Sequence, residues 1–339
     1  MDIDEIRALK DQILEYLNQL DLYKSVYELV KQVPFGKVTT YKLIADALGD
    51  KIAARSVRFI LNKNEDLDTI PCYKVIRSNG SLGGYKLGVE EKIKKLTQNG
   101  IIIKNNKVAN LEKYLFYPIS KEKPLRKLQE YQKLLKKYID VNGINEENFS
   151  KIERVYAFDV HSYEKKNKEM AIGVLIEYDL HKKKHTKTFF VKTQIKIPYI
   201  PTYLSYREYY VFHKLLIKYS SEIDKKNSIF LFDGNGILHP RRMGLATFVG
   251  ILENLVSIGV AKKLLCGERK GNYIYINNEK LGYVLKLGRK EYFISPGNKI
   301  NLQQAIRFIK KLIMFNSIYP LKLADKIARK KVKHEKRVD

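Results

Sequence analysis

The sequence predicts an α/β protein in two parts, a helix-turn-helix module followed by an α/β layer domain. Three observations predict it. The N-terminal part carries helical periodicity around a tight glycine-containing turn. From residue 155 onward, strand patterns come first and then alternate with helices. Charge divides in the same place. Residues 1–118 hold 19 basic and 15 acidic side chains, a net of +4, whereas residues 119–339 hold 45 and 22, a net of +23.

Each element follows from local pattern. Residues 6–20 and 22–32 read as helices, and Pro34 and Gly36 break the second. Thr39 and Thr40 offer an N-cap for a helix over 41–48, which Gly49 ends. Residues 53–61 form the next helix, completing the helix-turn-helix. A lysine-rich stretch, 121–137, marks the change-over. It contains Pro124, then Leu125, Leu128, Leu134 and Leu135 roughly at helical spacing. We read it as a linker running into the first helix of the second domain, with domains 1–118 and 119–339. In the second domain, 155–160, 171–178 and 187–194 read as strands and 206–219 as a helix. Residues 229–232 form an apolar strand ending in the acid Asp233. Residues 245–255 are helical and 255–260 a short strand. The basic tail, 326–339, reads as frayed.

The chain has 339 residues and a formal net charge of +27, and 45% of its residues are hydrophobic. That content excludes wholesale disorder. No apolar run approaches the roughly 18 residues that span a bilayer. The charged N-terminus lacks the apolar core of a signal peptide. Two cysteines, Cys72 and Cys266, cannot make a disulfide framework and read as thiols of a cytoplasmic protein. The positive excess points to a polyanionic partner, although charge alone leaves membrane surfaces and plain solubility open.

Two sets of residues carry chemistry. Cys72 lies between Pro71 and the basic Lys74, a setting for either a reactive thiolate or a small buried hydrophobe. The stretch Pro71-Cys72-Tyr73-Lys74-Val75 resembles the signature of the O6-alkylguanine-DNA alkyltransferases. Phe35-Gly-Lys-Val-Thr-Thr-Tyr41, Ala53-Ala-Arg-Ser-Val57 and Asn64 match as well, and the resemblance covers about residues 22–105. It implies a winged helix-turn-helix in the DNA minor groove that flips a damaged guanine out of the stack. Cys72 would accept the alkyl group irreversibly, Arg55 would fill the vacated stack, and Tyr41 would help rotate the nucleotide. Asn64 would be the hinge residue, and Tyr85 would contact the guanine oxygen. Two departures stand out. The family's histidine after the cysteine is Tyr73 here, and the carboxylate that supports it falls near Gln98. A phenol, with a pKa of about 10, is a poor base at neutral pH. Lys74 could assist the thiolate electrostatically.

The second set is acidic: Asp159 within a strand, Glu208 at a helix start, and Asp233 at the tip of an apolar strand. A charge there is costly unless paired or on a metal, and converging carboxylates suit Mg²⁺. Spacing alone does not show that the three meet. The surrounding motifs, Ile197-Pro-Tyr-Ile-Pro-Thr-Tyr-Leu-Ser-Tyr-Arg-Glu208, Leu231-Phe-Asp-Gly-Asn-Gly-Ile-Leu-His-Pro-Arg241 and Ser257-Ile-Gly-Val-Ala-Lys-Lys-Leu-Leu-Cys-Gly267, look like endonuclease V over about residues 120–335. That resemblance implies a ribonuclease-H-like fold, Mg²⁺ with Mn²⁺ as substitute, and nicking 3′ to hypoxanthine. It implies Asp159, Glu208 and Asp233 as metal-binding acids, Lys262 near the scissile phosphate and His239 on the same face. Tyr199 would be the wedge, and Leu204, Gly234, Gly259 and Ala261 would line the base pocket. Asp325 would be a further site residue. Asn235 stands where the family often has histidine, and Cys266 reads as an inert thiol.

Together these resemblances imply a bifunctional DNA-repair protein. Its expected partner is double-stranded DNA carrying alkylated guanine or deaminated adenine. Single-stranded DNA and inosine-containing RNA stay open as substrates. So does an alternative in which the first domain binds alkyl lesions without reacting.

Overall fold

The structure, a computed structural model, describes residues 3–166 and 168–338. Two compact units are present. The larger comprises Met1–Leu17, Tyr131–Ile195 and Thr202–Asp339, and the smaller comprises Asn18–Glu130 and Lys196–Pro201.

In chain order the first elements are α1 (Ile3–Gln19), α2 (Leu22–Lys31), β1 (Thr39–Thr40), α3 (Tyr41–Ala47) and α4 (Ala54–Asn62). Then come β2 (Val75–Ile76), α5 (Val89–Gln98), β3 (Ile103–Lys104), β4 (Lys107–Val108), α6 (Leu111–Tyr114) and α7 (Pro124–Leu135). Helix α3 begins where its cap dictates, because Thr40 Oγ1 accepts from Leu43 N at 3.1 Å. Gly49 then reverses the chain at φ +106°, and a Cβ there would lie 2.7 Å from Arg126 N. Only glycine meets both demands. Helices α3 and α4 form the helix-turn-helix, and the antiparallel pair β3–β4 forms its wing. The core beneath the wing contains Val38, Ile76, Leu82, Leu96 and Ile101.

The remaining elements are α8 (Glu146–Ser150), β5 (Arg154–Lys165), β6 (Lys168–Asp179), β7 (Lys184–Gln194), α9 (Leu204–Lys218), β8 (Ser228–Phe232), α10 (Leu245–Leu252) and β9 (Ser257–Ala261). They continue with β10 (Glu268–Lys270), β11 (Tyr273–Ile276), β12 (Glu279–Leu287), β13 (Lys290–Asn298), α11 (Leu302–Lys311), β14 (Ile313–Met314), β15 (Ser317–Ile318) and α12 (Tyr319–Val338). Nine strands make one sheet in the order β10-β11-β12-β13-β9-β8-β5-β6-β7. Strands β5, β8 and β9 run parallel at its centre. The five residues of β8 are all buried, as a central parallel strand covered on both faces requires.

Alternation along β5 sorts its side chains. Val155 and Ala157 join a core with Ala324, Ala328 and Val332 of α12. Tyr156 and Phe158 instead meet the aromatic layer, with Phe158 4.9 Å from Phe212 of α9 and Tyr156 stacked 4.9 Å from Phe230. By the same period Asp159 and His161 fall on the α12 face.

The tail differs from expectation. Rather than frayed, it is part of the helix α12, because Leu321, Ala324, Ala328 and Val332 give it an apolar stripe to bury. The helix expected to reach residue 255 stops at Leu252, and β10–β13 were not foreseen. No helix among the described residues is long and apolar enough to cross a membrane.

Candidate functional site

In the smaller unit Cys72 sits in a single 3₁₀ turn after Pro71 and is buried. Asn64 Nδ2 donates to its Sγ at 3.0 Å and also to the Asp66 carbonyl at 3.0 Å, while Asn64 Oδ1 accepts from Asp66 N at 3.1 Å. Burial pushes the thiol pKa up, and the Asn64 bond and the charge of Lys92 oppose the rise. Arg55 is exposed in the first turn of α4. Tyr41 begins α3, and its hydroxyl lies 3.5 Å from where a Cβ on Gly83 would sit. The Tyr85 hydroxyl is buried without a hydrogen-bond partner, and its ring meets Tyr73 edge-on at 6.5 Å. Tyr73 packs against the core below the wing, and Gln98, the last residue of α5, is exposed.

Lys74 does not face the thiol. Its Nζ donates to the carbonyls of Val33 at 2.9 Å and Pro34 at 3.2 Å. The cation that Cys72 senses is Lys92, fully buried on α5. Its Nζ donates to Val75 O and Leu82 O, both at 2.6 Å. Burial lowers its pKa to about 7. Nothing in the charged run Val-Glu-Glu-Lys-Ile-Lys-Lys marks Lys92 as the residue that turns inward.

In the larger unit Phe158 of β5 pairs with Phe232 of β8, so Asp233, just past the end of β8, comes beside Asp159 in the middle of β5. Asp159 is buried. Its Oδ1 accepts from Val160 N at 2.8 Å, and its Oδ2 has no hydrogen-bond partner. Asp233 pairs with the Lys262 ammonium. Burial and the charge of Asp159 raise the Asp233 pKa, and the same two causes raise Glu208 on α9 well above the usual carboxylate range. Asp325 of α12 accepts from Arg329 Nε at 3.0 Å and meets His161 Nε2 at 2.9 Å. Burial acts against it, yet those bonds hold its pKa down. One ligand atom each from Asp159, His161 and Asp325 fall within 4.8 Å of one another. Crowded carboxylates with raised pKa and an orphaned buried oxygen fit a cation. A cleft of about 450 Å³ opens beside Asp233, Lys262 and Asp325, lined also by Arg289, Lys322 and Arg329.

The other expected residues lie around this cluster or apart from it. His239 is buried. Its Nε2 donates to Thr202 O at 3.1 Å, and its Nδ1 accepts from Arg241 N and Met243 N at 3.2 and 3.3 Å. Burial lowers its pKa to about 3. It holds the entry to α9 rather than touching the acids. A Cβ on Gly234 would lie 3.6 Å from Leu204 and 3.3 Å from Leu245, and one on Gly259 would sit 2.3 Å from Gly236 N. Ala261 packs with Ile237 and Leu238. The Asn235 Oδ1 is buried and has no hydrogen-bond partner. Cys266 is half-buried, and burial lifts its pKa to about 11, as befits an inert thiol. Tyr199 is 59% exposed, and its carbonyl accepts from Ser56 Oγ at 2.6 Å. His161 was not foreseen, although its place two residues after Asp159 on a strand puts both on one face.

Comparison with known proteins covers both units. The profile described as "6-O-methylguanine DNA methyltransferase, DNA binding domain" matches residues 21–101, and that of Endonuclease V matches residues 133–326. A "Bifunctional methyltransferase/endonuclease" from Picrophilus torridus is 42% identical over 87% of this chain and 92% of its own. A "Bifunctional methyltransferase-like/endonuclease" from Nanoarchaeum equitans is 35% identical over 91% and 90%. Among solved structures, endonuclease V of Ciona intestinalis, crystallised with a 24mer DNA containing an inosine followed by a ribo-adenosine, aligns with a TM-score of 0.56 at 29% identity. It covers 62% of this chain and 98% of its own. The acid cluster and the wing-bearing cysteine module thus lie in one chain whose relatives match it across both. The protein belongs to the bifunctional methyltransferase/endonuclease family, an alkyltransferase DNA-binding domain joined to endonuclease V.

Proposed function

We propose that the protein is a bifunctional DNA-repair enzyme. One activity transfers the alkyl group of O6-alkylguanine irreversibly to Cys72. The other nicks DNA 3′ to hypoxanthine and depends on Mg²⁺, or on Mn²⁺ in its place. The observation that carries the nuclease reading is the buried Asp159 Oδ2, which makes no hydrogen bond, amid Glu208, Asp233 and Asp325 beside Lys262. Reaction with chromosomal DNA through a reduced thiol assigns the protein to the cytoplasm.

In the transfer reaction, the lesion base must leave the stack before a thiol can reach it. Arg55, exposed at the start of α4, fills the gap, Tyr41 turns the nucleotide, and Tyr85 meets the guanine oxygen. The Asn64 bond and the Lys92 charge favour the thiolate that burial opposes. Sγ bonds to the alkyl carbon as the carbon–O6 bond breaks. The electron pair leaves with guanine, which takes a proton from water.

For nicking, Asp159, Glu208, Asp233 and Asp325 would hold the ion, which supplies charge stabilisation and a more acidic water when bound. Lys262 neutralises Asp233 in the free protein and stands within reach of a phosphate oxygen. Arg289, Lys322 and Arg329 hold the backbone along the cleft. Tyr199, exposed between two prolines, replaces the flipped base. Leu204, Gly234, Gly259 and Ala261 accept it, with His239 fixing the nearby chain.

A duplex carrying both O6-methylguanine and deoxyinosine tests the proposal. A methylated Cys72 peptide by mass spectrometry and a 3′ nick are expected. Tyr73 in place of histidine and the exposed Gln98 favour a second reading, lesion binding without transfer. DNA that binds while Cys72 stays unmethylated would establish it. Faster cutting of inosine in RNA than of deoxyinosine in DNA would make the nuclease a ribonuclease.

A further inference from the structure

We propose that His161, through Nε2, is a ligand of the divalent ion held at the acid cluster, and that it strengthens the hold on Mn²⁺ more than the hold on Mg²⁺. The inference rests on the reading of that cluster as a metal site.

The strand places the imidazole there. Asp159, His161 and Tyr163 alternate onto the α12 face of β5, where Tyr163 is buried and its hydroxyl meets Glu335 of α12 at 3.3 Å. His161 is not a core residue, since its side chain is 29% exposed. Its Nε2 turns to the acids, 2.9 Å from Asp325 Oδ1 and 3.5 Å from Asp159 Oδ2. Neighbouring ligands of a six-coordinate ion with bonds of about 2.1 Å lie roughly 3 Å apart, which these separations approach.

Two observations distinguish a ligand from a prop. Asp159 Oδ2 is buried, in a side chain only 9% exposed, and the one group that faces it, His161 Nε2 at 3.5 Å, is too distant for a strong hydrogen bond. It lies within the 4.8 Å cluster and waits for a cation. Asp325, in turn, does not need the histidine to be oriented, because Arg329 Nε donates to the same Oδ1 at 3.0 Å. As the donor to the Asp325 carboxylate Nε2 carries a proton, and with that proton released and the remaining one on Nδ1 its lone pair would face the ion. An imidazole among carboxylates changes the selectivity. Mg²⁺ takes oxygen ligands and keeps its waters, whereas nitrogen donors favour first-row transition metals.

The full-length protein loaded with Mn²⁺ alone tests this by electron spin-echo spectroscopy. Modulation from a directly bound ¹⁴N is expected in the wild type and should vanish in His161→Gln. Mn²⁺ affinity, read from the free-ion resonance, should fall about tenfold in that variant while Mg²⁺ affinity changes less than about twofold. Bound Mn²⁺ without ¹⁴N modulation, or modulation that survives in His161→Gln, overturns the assignment and leaves the acid cluster as a metal site. A wild-type chain that binds no Mn²⁺ overturns both. The wild-type spectrum decides even if the variant does not fold.

Discussion

Asn64 Nδ2 lies 3.0 Å from Cys72 Sγ, a bond that joins the chain just beyond α4 to the buried thiol. A donor to sulfur favours the thiolate. Asn64→Leu should therefore move the pH midpoint of Cys72 alkylation by iodoacetamide upward by about one unit, the worth of one charge-assisted hydrogen bond. An unchanged midpoint would show that the bond does not tune the thiol.

Lys92 supports the same turn from below. Its bonds to Val75 O and Leu82 O leave two buried carbonyls unsatisfied if the ammonium is removed. Lys92→Met should cost about 1–3 kcal/mol, measured by urea unfolding. The pH dependence has a definite sign. With a folded pKa of about 7 against 10.5 unfolded, the folded chain binds fewer protons between those values. The wild type should gain stability as pH rises through that window, and the variant should lose that gain.

Glu253 anchors the larger unit. Its carboxylate meets Lys10 at 2.8 Å, His213 at 3.0 Å and the Tyr209 hydroxyl at 2.9 Å. Burial opposes ionisation, but these partners win and hold its pKa at about 2, against 4.5 for the free group. The stabilisation is present above pH 4.5 and is lost as pH falls from there toward 2. Glu253→Gln should remove about 3 kcal/mol at neutral pH and flatten that acid limb of the unfolding curve. Chemical denaturation at pH 7 and pH 3 measures both.

Asp233 and Lys262 form an ion pair at the cleft. Asp233→Asn should abolish ion-dependent nicking of deoxyinosine DNA and leave DNA binding intact. Lys262→Met should slow single-turnover nicking about a hundredfold, and Lys262→Arg should recover part of that loss. Full cutting by Asp233→Asn would remove this aspartate from the site.

Arg289, Lys322 and Arg329 line the cleft beside those two residues. Replacing Arg289 and Lys322 by alanine should lower the slope of log binding against log salt by about one for each phosphate left without its cation. A slope equal to the wild type would place the backbone elsewhere.

The fold was legible where period and burial agree. The strand 155–160, the run 229–232 and the cap at Thr40 all appear in the structure because each buries one face or satisfies one helix end. The tail was not legible, since its lysines outnumber the spaced Ala324, Ala328 and Val332 that dock it. Lys92 was hidden for the opposite reason. A lysine amid charged neighbours looks solvated, and only tertiary packing turns it toward two carbonyls. The convergence of Asp159 and Asp325, 166 positions apart in the chain, could not come from spacing. It needed the packing of β5 against α12. His161 could have been read from alternation once Asp159 was fixed.

The tight approach of Gly259 to Gly236 bears on any redesign of the nuclease. A Cβ at 259 would strike backbone at 2.3 Å, so this position of β9 tolerates no side chain. Position 234 is more forgiving, because the nearest atoms to a Cβ there belong to the side chains of Leu204 and Leu245, at 3.3–3.6 Å. A library that varies those two leucines, and spares the glycines, changes the space beside Gly234 without striking backbone.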